Sequence, residues 1–204
     1  MSERKAPARW TAIAAAVVIA LLVAGAAAAM AGRPHTGLLR APSASMAPAL
    51  PLRSIFTVDY DAYQDTAPRL GDIIVFHPPA GVEQDKGCAE PPPKGSMCAR
   101  AVARTSHALF VKRIVAGPGD RVAVRAGRVI RDGRRVAEPF AQRCDAQEGC
   151  NFPRPIVVPA GQYVVLGDNR GSSDDSRFWG PVRRAWIVGR VDRCGALGLH
   201  CHRR

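Results

Sequence analysis

The stretch from residue 10 to residue 31, WTAIAAAVVIALLVAGAAAAMA, carries no charged side chain, and Gly25 is its one strong helix breaker. As a helix it would extend roughly 33 Å at about 1.5 Å per residue, against a hydrocarbon core of about 30 Å. It is long enough to cross a bilayer. Arg4, Lys5 and Arg9 precede it with only Glu3 opposing them, so the positive-inside tendency places the N-terminus in the cytoplasm and the chain after Arg33 outside. The competing reading is a cleaved secretory leader, because Ala29-Met30-Ala31 has the small-x-small pattern of a cleavage site. Against it, the apolar run exceeds the roughly 7 to 15 residues of a leader core. The expected organisation is a basic tip (1–9), an anchor (10–31) and an extracytoplasmic body (32–204).

The cysteines suit that compartment. Cys88 and Cys98, Cys144 and Cys150, and Cys194 and Cys201 form three close pairs in loop-like stretches, and neighbour pairing would staple each loop in an oxidising space. A zinc site, suggested by His200 and His202 beside Cys201, lacks the close paired spacing of such sites. No metal or cofactor is expected. The formal net charge of +12 admits either nucleic acid or an anionic membrane surface as partner. The six arginines of residues 121–136 read more simply as a solvated strand face than as a nucleic-acid patch. A lipid bilayer is therefore the expected partner and nucleic acid is not.

After a short polar link at 33–44, the chain reads as strands: 55–60, 72–76, 109–115, 121–124, 128–130, 156–158, 163–166 and 186–193. Short β-branched runs separated by Gly, Pro, Asp and Asn are the mark of strands and turns, and no interval carries a long 3.6-residue apolar period. Gly127 and Asp132-Gly133 supply hairpin turns. Residues 77–107, proline-rich and holding the first cysteine pair, break the rhythm as a surface excursion. A mostly β body of antiparallel sheets, with one N-terminal transmembrane helix, is the expected fold.

Three passages could carry chemistry. Pro42-Ser43-Ala44-Ser45-Met46-Ala47-Pro48 offers small hydroxyl residues beside a restricting proline. Phe110-Val111-Lys112-Arg113-Ile114-Val115 puts a lysine inside an apolar strand, on the same face as Phe110 and Ile114. The run from Gly167 to Gly180, GDNRGSSDDSRFWG, follows an apolar strand and is dense in hydrogen-bonding groups. A calcium loop built on Asp168, Asp174 and Asp175 lacks EF-hand spacing and carries two opposing arginines.

Together these passages, their order and the preceding Leu70-Gly71-Asp72-Ile73-Ile74-Val75-Phe76 resemble the bacterial type I signal peptidases. These are membrane-anchored Ser-Lys endopeptidases that cut leader sequences from exported proteins. The resemblance covers nearly the whole chain after residue 40, except the first cysteine loop and the last ten residues. It implies Ser45 as nucleophile and Lys112 as general base. It further implies Ser173 as the residue orienting that lysine and Ser43 as a side-chain donor to the oxyanion hole. Asp175 and Arg177 resemble the charged pair bracing the third passage, with Asp168 in support. Ala49, where a threonine is usual, and Ala116-Gly117 before Pro118-Gly119-Asp120 depart from the family pattern at positions without a catalytic atom.

The physics suits those roles. A serine hydroxyl needs a base, and a lysine with an ordinary pKa of about 10.4 is well under 1% neutral near pH 8. Burial against Phe110 and Ile114 would lower it. The five histidines, His35, His77, His107, His200 and His202, lie outside the strand cores, which disfavours a histidine triad. The substrates implied are preproteins held as an added strand, with small residues at the first and third positions before the cut. The location implied is the bacterial cytoplasmic membrane, single-pass, with a monomeric catalytic domain on the periplasmic side. A peptidase dedicated to conjugative transfer or pilin maturation would share Ser45 and Lys112, but the full Asp-Ser-Arg block with Ser173 favours the general enzyme. An inactive, basic, membrane-anchored binding protein would leave the Ser45 and Lys112 spacing accidental.

Overall fold

The computed structural model describes residues 18–20, 35–142, 144, 149–194 and 199–200. The chain divides into two units, Met1–His35 and Thr36–Arg204. In the first, residues 18–20 are helical; the rest of the expected anchor lies outside the described residues. Among the described residues no helix is long and apolar enough to cross a membrane.

In the second unit the described strands run, in chain order, β1 (Thr36–Arg40), β2 (Ile55–Asp59), β3 (Ile73–Phe76), β4 (Phe110–Ala116), β5 (Arg121–Arg125), β6 (Arg128–Arg131), β7 (Arg134–Arg135), β8 (Phe152–Val157), β9 (Gln162–Leu166), β10 (Val182–Arg183), β11 (Ile187–Cys194) and β12 (Leu199–His200). They form two sheets. The larger has the order β1-β2-β11-β3-β4-β9-β10, with β12 paired to β11, and the smaller has the order β7-β6-β5-β8. Every strand pair is antiparallel.

Side-chain alternation sets the faces. On β2, Phe56 and Val58 are buried while Ile55 is exposed, the period of a strand with one face in the core. The central strands β3 and β4 are buried almost throughout, consistent with their near-continuous apolar runs. β4 reaches three apolar clusters: Val111 packs with Phe56 and Leu50, Ile114 with Phe76 and Trp179, and Val115 with Val122 and Leu166. It contributes to all three clusters, and it carries Lys112.

The two tight hairpins turn at Ala126-Gly127 (φ 47° and 71°) and Asp132-Gly133 (φ 52° and 77°). Two successive positive φ values are the signature of the type I′ turn, whose twist matches that of the flanking strands. The expected link at 33–44 differs: Thr36–Arg40 pairs with Asp59–Ile55 as β1. Its apolar content, Leu38 and Leu39, was too short to show a period. β7, β10 and β12, two residues each, escape pattern reading for the same reason. The excursion at 77–107 lies between β3 and β4, folded as a ribbon by the bridges Pro79↔Thr105 and Cys88↔Ala101. Disulfides join Cys88 to Cys98 and Cys144 to Cys150; Cys201, expected to pair with Cys194, lies outside the described residues.

Candidate active site

Lys112 stands on β4 opposite Ile74 of β3. Its side chain is 5% exposed, and Nζ sits 5.5 Å from the centre of the Phe110 ring. Ser45 arrives from a different part of the chain, in the turn that follows β1. Met46 and Leu50, both buried, root that turn in the core, and the backbone N–H of Asn169 donates to the Ser45 carbonyl at 3.0 Å. Lys112 Nζ donates to Ser45 Oγ at 2.7 Å across 67 residues of sequence. The two side chains share a cavity of about 300 Å³ with apolar walls from Ala41, Met46, Leu50, Leu109 and Val111.

Burial lowers the Lys112 pKa from 10.5 to about 8, against the opposing pull of the Asp175 and Asp174 carboxylates. An ammonium group loses its hydration in such a site, so the neutral amine gains weight. Asp174, at the cavity edge, is pushed up to about 6 by its own burial and by the charge of Asp175.

Ser43 Oγ donates to Ser45 Oγ at 3.1 Å and accepts from the Ser45 backbone N–H at 3.4 Å. The Ser43 hydroxyl and the Ser45 amide therefore point to one place beside the Ser45 hydroxyl. Ser173 is placed differently from the expectation that it hydrogen-bonds Lys112. Its Oγ is buried without a hydrogen-bond partner, and it lies against Gly167, where an added Cβ would collide with it and stand 2.5 Å from the Ser45 carbonyl oxygen. Only glycine lets the strand end pass that close to both serines.

The run after β9 is built on buried ion pairs. Asp175 Oδ1 and Oδ2 accept from Arg177 Nε and Nη2 at 2.8 and 2.9 Å, and Oδ2 also accepts from the Gly167 N–H at 3.1 Å. Burial pushes the Asp175 carboxyl up, but the Arg177 guanidinium and the Gly167 N–H outweigh it and hold it below its ordinary value. Asp175 also caps the one-turn helix α1 (Ser176–Trp179) by accepting from the Arg177 N–H. The remaining Arg177 donors satisfy the carbonyls of Gly149, Arg170 and Ser173.

The family model described as signal peptidase, peptidase S26, matches residues 10–194. The chain belongs to this family. It is 37% identical to signal peptidase I of Leptolyngbya laminosa, over 77% of this chain and 70% of that protein. It is 32% identical to signal peptidase I of Bacillus caldolyticus, over 72% of each. Thylakoidal processing peptidase 1 of Arabidopsis thaliana is 33% identical over 73% of this chain, which spans only 38% of that longer protein. A solved signal peptidase I from Enterococcus faecalis V583 is 25% identical, covering 61% of this chain and 97% of that one at a TM-score of 0.39. As a peptidase of family S26 the protein is a serine endopeptidase.

Near the hydrogen-bonded Ser45 and Lys112 of this S26 peptidase lie two ion pairs that residue order did not reveal. Arg113, next to Lys112 but on the opposite face of β4, makes a bidentate pair with Asp168 at 2.8 and 2.7 Å and also donates to the Gly71 carbonyl. Its guanidinium lies 4.0 Å from the Phe140 ring centre. Arg170 pairs with Glu138 through both terminal nitrogens and donates to the Gly167 carbonyl. One clue was available: in a strand buried on both faces, neighbouring Lys112 and Arg113 must each find a partner on its own side.

Proposed function

We propose that the protein removes N-terminal signal peptides from exported preproteins, with Ser45 as nucleophile and Lys112 as general base. The observation that carries this reading is the 2.7 Å approach of Lys112 Nζ to Ser45 Oγ in an apolar, buried setting. With a pKa of about 8, about half of the lysine is neutral at that pH. The neutral amine takes the Ser45 proton as Oγ attacks the scissile carbonyl. The ammonium so formed returns the proton to the leaving amine, and the same lysine then activates the water that releases the acyl group.

Oxyanion stabilisation falls to the Ser45 N–H and the Ser43 hydroxyl. In the free site the Ser43 hydroxyl occupies the Ser45 amide, and a substrate carbonyl oxygen would take that place and receive both donors. Ser43→Ala is expected to lower kcat by about 10²- to 10³-fold with little change in KM. Steady-state kinetics on one peptide checks this; an unchanged kcat removes Ser43 from the oxyanion role.

The substrate segment before the cut binds as an added strand. In the observed ladder β9 pairs with β4 only from Arg113 onward, leaving Phe110 to Lys112 open toward Pro42 and Ser43 across the cavity. Its shallow apolar walls suit small side chains. A preprotein with alanine at the first and third positions before the cut should be processed by the detergent-solubilised protein, and phenylalanine at either position should abolish cleavage. Equal processing of both would refute the reading.

Residues 10–31 are proposed as the single-pass anchor, with the catalytic unit on the extracytoplasmic side of a bacterial cytoplasmic membrane. The uncharged span and the two disulfides of the described unit support this.

A further inference from the structure

A second cavity, of about 400 Å³, adjoins the one that holds Ser45 and Lys112. Asp174 lines both. The proposed chemistry leaves this second cavity unused. Its walls combine two carboxylates, Asp85 and Asp174, with three aromatic rings, Phe152, Phe178 and Trp179. Phe152 and Phe178 meet edge to face with centres 6.0 Å apart, and Phe178 is 44% exposed despite its size. The Trp179 ring is buried, and its N–H lies toward Asp174 without reaching hydrogen-bonding geometry with any acceptor.

Charge in the cavity is only partly balanced: Lys112, in the neighbouring cavity, is a cation that acts on Asp174. Arg177 lines it too, but that guanidinium is already spent on Asp175 and on the carbonyls of Gly149, Arg170 and Ser173. No salt bridge among the described residues neutralises Asp85 or Asp174. The two acids are near enough for the charge of Asp85 to disfavour ionisation of Asp174. Carboxylates and aromatic rings attract the same charge, so a cavity lined by both suits a cation, as the Arg177 guanidinium 5.3 Å from the Phe178 ring centre already illustrates. Placed beside the nucleophile, such a receptor is reached by whatever side chain flanks the bond being cut.

We propose that this cavity is a subsite for a lysine or arginine side chain carried by the substrate next to the scissile bond, with Asp174 and Asp85 as its anionic walls. The proposal rests on the signal-peptidase reading. It adds a preference for positive charge to the demand for small residues before the cut.

Matched peptides differing only in lysine or norleucine, at the second position before the cut or at the first or second position after it, test this. For the parent protein, kcat/KM should favour lysine at one of these positions by about tenfold, and the ratio should shrink as salt is raised. Asp174→Asn should bring the ratio close to one, Asp85→Asn should lower it, and Asp174→Glu should preserve most of it. The ratio is the informative quantity, because loss of the Asp174 charge also shifts Lys112 and so changes the rate for every peptide. A parent that shows no lysine preference at any position overturns the subsite. So does a preference that survives both asparagine variants. A Ser45→Ala protein that cleaves the norleucine peptide as fast as the parent would instead overturn the Ser-Lys reading, whatever the ratio.

Discussion

Lys112→Met is expected to lower kcat by about 10⁴-fold or more, and Ser45→Ala by a similar factor, because in the proposed mechanism the two groups act as one unit and losing either leaves the other idle. The double variant should be little worse than either single one. Methionine keeps the length and apolar contacts of the lysine stem beside Phe110 and Ile114, so a loss of rate would not reflect a loss of packing. Lys112→Arg should fail as well, since a guanidinium cannot give up its proton at accessible pH. For the parent, kcat/KM should rise with pH along a single limb centred near 8, following the neutral fraction of Lys112. The sign follows from the lowered pKa: the active base is the deprotonated form, so activity is lost on the acid side. A limb above 10 would mean that the lysine is hydrated rather than buried, and near-parental kcat in either single variant would end the Ser-Lys mechanism.

Arg113→Met is expected to destabilise the fold by about 3 to 5 kcal/mol, because it strands the Asp168 carboxylate in a site with no exposure. Asp168→Leu alone should cost about as much by stranding the guanidinium. Joining the two changes should recover most of the loss, since the pair's mutual attraction mainly offsets its own desolvation. Denaturant unfolding of the three variants reads this cycle directly. A pH test sharpens it: burial already pushes the Asp168 carboxyl up, with Arg113 opposing, so removing Arg113 raises it further. A group whose folded pKa is raised favours the fold at low pH and loses that contribution as pH rises through the folded value. The deficit of Arg113→Met relative to the parent should therefore be smaller in mildly acidic buffer than at pH 8. Single variants that each cost under about 1 kcal/mol would show that the pair is solvated, contrary to its geometry.

Much of the architecture could be read from residue order. Strands β2, β3, β4, β5, β6, β9 and β11 fall within a residue or two of their expected spans, because alternation and turn chemistry act over a few neighbours. The type I′ turns at Ala126-Gly127 and Asp132-Gly133 follow from the same local rule. β8 was foreseen only at its last two residues, Ile156 and Val157, since Pro153 and Pro155 interrupt its apolar run. β1 went unread because it gains its stability from pairing with β2 rather than from its own pattern.

The candidate site divides along the same line. Residue order alone determined that Lys112 shares a strand face with Phe110 and Ile114, and that a polar loop follows β9, because both statements concern neighbours. It left open where the charges of that loop go. Ser173, expected to hydrogen-bond the lysine, has its Oγ buried against Gly167 with no hydrogen-bond partner. Residue order gave Arg113, Arg170 and Glu138 no partners until the sheets enclosed them. The tertiary structure decided that Ser45 meets Lys112 across 67 residues and that Arg113 meets Asp168 across 55. Contacts of that range depend on which strands lie side by side, and only the packed sheets, by removing water from β4, lower the pKa of one lysine toward the role proposed for it and make its neighbour a paired, buried cation.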